Sequence, residues 1–243
     1  MRCPVIIQTC DKYESFWDGL FRFMEKNWDD SIEAEIYFCN EETKVSLPRG
    51  FRHLPTGRGT FVENLRTILD KVGEEHVFYM LEDFWPTSPM GAKLFRGLHK
   101  LFVESDSDAV QVSSYLPYYS LTTTDHKLLF KFKRDSEWLF NFQARFWKSD
   151  SMLRFLTEPD ISESKVNSAI TVEMASDFKA REEGGMSAFL YHYAWYPISG
   201  VSYRGNLTEI GLQMQNTINI DKMVENMFNE PDASEELLPL LIR

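Results

Sequence analysis

The chain has 243 residues, 43% hydrophobic and 26% charged, enough to bury one sizeable α/β core and too apolar to remain disordered. Its formal net charge of −11 carries no Lys/Arg cluster, which argues against broad nucleic-acid binding and against simple electrostatic docking on an anionic membrane. A single nucleotide stays compatible, because a divalent cation or a few placed Lys or Arg side chains can offset a diphosphate locally.

Residues 4–10, PVIIQTC, read as a short buried strand that opens the fold. Pro4 and Gln8 break this apolar run before it can form a signal-peptide core, and no window reaches the ~20 apolar residues of a membrane-spanning helix. Over 14–28, Phe16, Trp17, Leu20, Phe23 and Met24 recur at helical spacing. A strand at 34–39 and a polar loop follow. Residues 60–72 predict a helix with Thr60 as N-cap, Glu63 completing a capping box and Gly73 as its stop. The run 77–81, VFYML, is a continuous apolar strand. Strand, helix, strand, helix, strand predicts a mostly parallel sheet flanked by helices, with ligands bound beyond the carboxyl ends of the strands. Those ends carry Thr9-Cys10-Asp11, Asn40-Glu41 and Glu82-Asp83.

The second half is less regular. It predicts a helix over 91–104, a strand at 108–113, a β-ribbon excursion within 115–140, a strand at 140–146 and a short helix near 149–157. A helix from about residue 163 carries Glu173 in its C-terminal half. Residues 193–203 read as a strand with a Pro-marked bend, and one amphipathic stretch follows residue 217. No repeat or linker divides the chain, so one domain over 1–243 is expected. Cys3, Cys10 and Cys39 have no CxxC or Cys/His spacing and read as free thiols, which makes a cytoplasmic protein the expectation. The five histidines lack zinc-site spacing, and no serine sits in a nucleophile elbow.

The stretch VFYMLEDFWPTSP carries the chemistry. Two adjacent carboxylates directly after a buried strand are costly unless water, cations or hydrogen bonds compensate them. A hard cation such as Mn²⁺ or Mg²⁺ favours carboxylate oxygen and can bridge to diphosphate oxygens at the same time, so Glu82 and Asp83 are candidate metal ligands. A strand-end acidic pair that merely caps the next segment has the same appearance.

The segments VIIQTCDKYESFWDGLFRFMEKNW, IYFCNEE and ENLRTILDKVGEEHVFYMLEDFW, in this order, resemble small bacterial and viral GT-A glycosyltransferases that act on surface polysaccharides and glycans. ITVEMAS is similar to a segment where that family places an acidic residue in the acceptor site, and YPISGVSYRGNL to the aromatic strand and Gly-containing turn that follow it. The resemblance spans roughly residues 4–210 and implies a nucleotide-sugar donor, a glycan or lipid-linked acceptor, a donor-binding half over 1–90, an acceptor half over 91–210 and a tail over 211–243. It also implies that Thr9, Asp11 and Tyr13 face the nucleotide, with Tyr13 stacking on the base and Asp11 accepting hydrogen bonds from base or ribose. One departure stands out: Leu81-Glu82-Asp83-Phe84 holds no Asp-x-Asp. Either Glu82 and Asp83 share the metal or the diphosphate falls to a basic side chain such as Arg58 or Lys12.

The remaining candidates each carry a plainer alternative. Asp11 could cap the helix after it, Glu41 could reach the ribose or be an exposed loop carboxylate, and Arg58 between Gly57 and Gly59 could meet a phosphate or simply occupy a turn. Glu173, flanked by Val172 and Met174, is the candidate general base for an inverting displacement, with Asp177 as its substitute one turn on. Trp85, Trp138, Trp147 and Trp195 offer faces to a sugar or fill the core. Two other functions compete: nucleotidyl transfer, which lacks its Gly-rich loop here, and non-catalytic carbohydrate binding. Peripheral association with membrane-bound machinery stays open.

Overall fold

Three apolar strands, almost every residue of them buried, run side by side in the main sheet. The computed structural model describes residues 3–113, 119–159, 168–191, 198–203, 206–214 and 216. In chain order, β1 (Val5–Gln8) leads through a 3₁₀ turn (Asp11–Phe16) into α1 (Trp17–Asn27), β2 (Ile36–Cys39), β3 (Phe51–His53), α2 (Phe61–Val72), β4 (His76–Leu81) and β5 (Phe84–Pro86). The chain continues with α3 (Ala92–Glu104), β6 (Ala109–Gln111), β7 (Leu121–Thr123), β8 (Leu129–Phe132), β9 (Arg145–Lys148), α4 (Ser149–Phe155), α5 (Ala169–Glu183), β10 (Ala188–Tyr191) and β11 (Ile198–Gly200).

The main sheet has the order β3-β2-β1-β4-β9-β6-β10-β8-β7. Parallel register places Ile6 beside both Tyr37 and Tyr79. Only β9 and β8 run against the other strands, β9 between β4 and β6 and β8 between β10 and β7. The sheet is therefore mixed in its pairings but mostly parallel in strand direction, as the alternation predicts. The predicted ribbon is the β7–β8 hairpin, and it extends the main sheet instead of standing apart.

Successive residues of β4 serve opposite faces. Phe78 meets the rings of Trp28 and Phe95, at 6.4 and 5.8 Å, on the side of α1 and α3. Tyr79 joins a core with Leu65 and Ile68 of α2, Met152 and Phe155 of α4, and Val172 and Ala180 of α5. The predicted capping box of α2 is present: Thr60 accepts from the Glu63 N–H, the Glu63 side chain accepts from the Thr60 N–H, and Gly73 closes the helix with φ +64°.

Four expectations move. The first helix begins at Trp17, because 14–16 lie in the 3₁₀ turn, and two short strands, β3 and β5, appear where loop is read. The strand expected at 140–146 is β9, at Arg145–Lys148. Residues 138–144 before it are mostly buried irregular chain, with the N–H groups of Trp138, Phe140 and Phe142 claimed by side chains of α5. Helix α5 begins at Ala169, behind a Ser168 cap, which puts Glu173 in its N-terminal half. Part of the expected 193–203 strand lies outside the described residues. By compactness the chain divides into Met1–Gly200 and Val201–Arg243. The second unit contains an antiparallel pair, β12 (Ser202–Tyr203) with β13 (Asn206–Leu207). Among the described residues no helix is long and apolar enough to cross a membrane, and Cys3, Cys10 and Cys39 are free thiols.

A single close approach fixes α1 against the strand end that matters below. A Cβ built on Gly19 would lie 2.0 Å from Cη2 of Trp85, a fully buried ring stacked on Phe23 at 5.5 Å. Ordinarily Gly→Ala inside a helix stabilises; here overpacking reverses the sign. Gly19→Ala is expected to cost about 1–3 kcal/mol, read as a lower urea midpoint, whereas an unchanged or higher midpoint would show that the ring yields freely.

Candidate active site

The carboxyl ends of β1, β2 and β4 meet at one edge of the sheet, and the polar residues read from the sequence gather there. Asp11 organises the first part. Its Oδ1 accepts from Asn40 Nδ2 at 2.8 Å and from the Glu41 N–H at 3.2 Å, and its Oδ2 accepts from the N–H groups of Glu42 and Thr43 at 3.1 and 2.9 Å. In return the Asp11 N–H donates to Glu41 Oε2 at 3.1 Å. Burial pushes the Asp11 carboxyl up, but the Asn40 amide and these N–H groups outweigh it and hold the group below its usual value. Asp11 is thus neither a helix cap nor an open acceptor for base or ribose: its two oxygens are committed to the 40–43 loop, and Glu41 closes the clasp from the other side.

The second part is the turn after β4. Glu82 is buried, and Trp85 Nε1 donates to its backbone carbonyl at 3.0 Å. Thr9 is buried too. Its Oγ1 accepts from Trp17 Nε1 at 2.9 Å and donates to the Cys10 carbonyl at 3.3 Å, and the hydroxyl lies near enough to Glu82 to lower its pKa slightly against the larger rises. Desolvation first, and the neighbouring Asp83 second, push the Glu82 carboxyl up to about 8, so it carries a proton at neutral pH. Asp83 is half-buried. Tyr13 is partly buried nearby, its phenol raised by burial, then by Cys10, Glu82 and Asp83. Thr9, Tyr13, Glu82 and Asp83 therefore share one electrostatic neighbourhood.

The third part comes from the other half of the chain. Glu173 keeps some exposed surface while its carboxylate turns inward, where Oε1 accepts from the Phe142 N–H at 2.6 Å. Burial pushes Glu173 up to about 7; the Phe142 N–H and the Arg145 charge pull it down, while Asp83 and Asp177 add to the rise. The fold thus brings Asp83 and Glu173 within electrostatic reach. Asp177, read as a substitute base, has another task. It is buried, accepts from the N–H groups of Trp138 and Phe140 at 3.2 and 3.1 Å, and pairs with Arg181 at 3.1 Å.

Other candidates lie elsewhere or do other work. Arg58, between β3 and α2, is 85% exposed by side chain and paired at 2.8 Å with Glu42 of the loop beyond β2. Lys12 is exposed, with Nζ over the Tyr13 ring at 5.6 Å. Trp85 and Trp147 are core, Trp138 is partly buried, and Trp195 lies outside the described residues. Sequence reading places Asn40 at a strand end but misses its part in the site: it is fully buried and bonds Asp11, Thr43 and His53. Sequence reading also misses Arg145, a charge inside a buried strand. The run ARFW, one cation among apolar residues, is the available signal.

Among the described residues no three His, Cys, Asp or Glu side chains converge as metal ligands. The donors that do meet, Asp83 with Glu82 beside it, are hard oxygens. They fit a cation that takes one or two carboxylates from the protein and completes its shell from a diphosphate and water, as Mg²⁺ commonly does.

No protein-family model matches the chain, and no curated protein matches it in sequence. Solved structures do match. S. aureus TarS 1-349 in complex with UDP-GlcNAc is 12% identical over 85% of this chain and 60% of that one, with a TM-score of 0.53. A CMP:2-keto-3-deoxy-manno-octonic acid synthetase complexed with CTP is 9% identical over 91% of this chain and 100% of that one, at a TM-score of 0.51. UDP-glucose pyrophosphorylase complexed with UDP-glucose is also 9% identical, over 91% and 100%, at 0.52. Identities this low establish the fold: the chain has the GT-A-type, Rossmann-like α/β architecture that the sequence resemblance implies. It spans 60% of the length of the TarS chain.

The raised Glu82 carboxyl has a consequence for stability. Because its folded pKa lies above the ordinary 4.5, Glu82 contributes stability at low pH that is lost as pH rises toward about 8. Glu82→Gln removes that loss, so its stability relative to wild type should climb between pH 4.5 and about 8. Urea unfolding at a series of pH values measures this; a pH-independent difference would show an ordinary, ionised carboxylate.

Proposed function

We propose that the protein is a glycosyltransferase that moves a sugar from a nucleotide-sugar donor to a hydroxyl of a glycan or lipid-linked acceptor, with inversion at the anomeric carbon. The observation that carries this reading is that the Glu173 carboxylate, turned inward and bonded to the Phe142 N–H, feels the charge of Asp83 at the end of β4 and is poised near neutrality. A general base works best with a pKa near the operating pH. Glu173 at about 7 accepts the proton of the acceptor hydroxyl as its oxygen attacks the anomeric carbon. The bond from that carbon to the diphosphate oxygen breaks, and the nucleoside diphosphate leaves with the electron pair.

The donor lies along the ends of β1, β2 and β4. Tyr13 offers a ring to the base, and the 40–43 loop, held by Asp11 and Glu41, lines the nucleoside side. Asp83, with Glu82 beside it, is the place for Mn²⁺ or Mg²⁺. When bound, the cation supplies positive charge to the departing diphosphate. Thr9, held by Trp17, lies beside Glu82.

Nucleotidyl transfer is the second reading, favoured by similarity to the synthetase and the pyrophosphorylase across the whole of those chains. Against it, the segment after β1, TCDKYES, contains no glycine and one cation, a poor cradle for a triphosphate.

A panel of UDP, GDP, dTDP and CDP sugars, with and without Mn²⁺, tests the reading. One nucleotide class should raise the melting temperature in a metal-dependent way, and Asp83→Asn should abolish that dependence. Glu173→Gln should cut transfer by about 10²–10⁴-fold while the donor still raises the melting temperature. Pyrophosphate release from a nucleoside triphosphate and a sugar phosphate would replace this reading with the second; no shift with any nucleotide would leave non-catalytic binding.

A further inference from the structure

Arg145 is buried at 0% exposure in the middle of the sheet, and among the described residues its hydrogen bonds go only to neutral acceptors. Nε and Nη2 donate to Gln111 Oε1 at 3.1 and 2.7 Å, Nη1 to the Leu139 carbonyl at 2.8 Å, and Nη2 to the Trp138 carbonyl at 3.3 Å. A buried guanidinium without a bonded carboxylate is an expensive way to fill a core position. What it offers over a neutral side chain is a rigid planar fork that spans two consecutive carbonyls.

Those two carbonyls belong to the irregular strap over 138–142, which is tied at every step. Asp177 takes the N–H groups of Trp138 and Phe140, Glu173 takes that of Phe142, and Asn141 Nδ2 donates to the Trp138 carbonyl at 2.7 Å and to Gln111 Oε1 at 3.3 Å. Trp138 is one of two non-glycine residues with positive φ among those described, at +63°. Such backbone persists only where its surroundings over-determine it, and it concentrates at working sites. One edge of the strap is thus held by the Arg145–Gln111 pair under the sheet. The other edge presents the single N–H that is bonded to Glu173.

We propose that Arg145 is a positioning residue for Glu173: it fixes the 138–142 strap, and the strap's Phe142 N–H aims the carboxylate at the acceptor hydroxyl. This rests on the glycosyltransferase reading for its last clause. The ionisable groups that face Glu173 are Arg145 on β9, Asp83 after β4, Tyr79 on β4, Tyr119 before β7 and Asp177 on its own helix. Arg145 is the cation among them, so its removal also shifts Glu173 toward the protonated form.

Two substitutions separate aim from charge. Arg145→Lys keeps a cation but cannot bridge two carbonyls. It should lower kcat by about 10²-fold, the usual cost of a misplaced group, with donor KM and the acid limb of the pH profile unchanged. Arg145→Gln should lower kcat similarly and also move the acid limb to higher pH. Without any substrate, the wild-type Phe142 amide resonance should titrate together with Glu173 and stop titrating in Glu173→Gln. Wild-type kcat in the Lys variant, or a Phe142 amide indifferent to Glu173, overturns the proposal. If neither variant folds, the amide titration alone decides it. Absence of any sugar transfer by wild type, with the amide titration intact, counts against the glycosyltransferase reading and not against the strap.

Discussion

A carboxyl group placed where buried parallel strands end must be hydrogen-bonded, paired or protonated, because leaving it charged and unsolvated costs several kcal/mol. The site contains all three solutions. Asp11 is saturated by one side-chain amide and three backbone N–H groups, Asp177 by two backbone N–H groups and Arg181, and Glu82 retains its proton. Glu173 has one N–H and a distant cation, which leaves it between the ionised and neutral states. The four carboxyls thereby divide into two that hold backbone in place, one that burial keeps neutral, and one that lies between the two states.

This division depends on the sheet. Each strand of the β1–β2–β4 core is apolar and ends on polar residues, so these three strands set the polar carboxyl edge by themselves. Bringing Glu173 to that edge requires β9, which enters antiparallel between β4 and β6 and carries Arg145 beneath the strap that meets α5.

Much of this was legible wherever the chemistry is local. The α2 cap needs only Thr60, Glu63 and Gly73, and the run VFYML ending in Glu82-Asp83 announces a strand with a costly terminus. Misreadings arose where two local patterns look alike. Leu139, Phe140 and Phe142 are as apolar and buried as a strand, yet their backbone is bonded by side chains, so the strand begins later, at Arg145. Glu173 and Asp177, one turn apart on the same helix, are indistinguishable by spacing; only the backbone N–H groups that reach each one set them apart. Asp11 looked open because the loop that saturates it is some 30 residues further along the chain.

The central claim is that Asp83 and Glu173, from opposite halves of the chain, act in one site. The most direct test is carbon-13 titration of the Glu173 carboxyl in metal-free buffer, in wild type and in Asp83→Asn, with Glu173→Gln identifying the resonance. The account predicts a wild-type midpoint near 7 and a lower midpoint once the Asp83 charge is gone. A midpoint at the ordinary 4.5, unmoved by Asp83→Asn, would mean that the two carboxyls do not share a site.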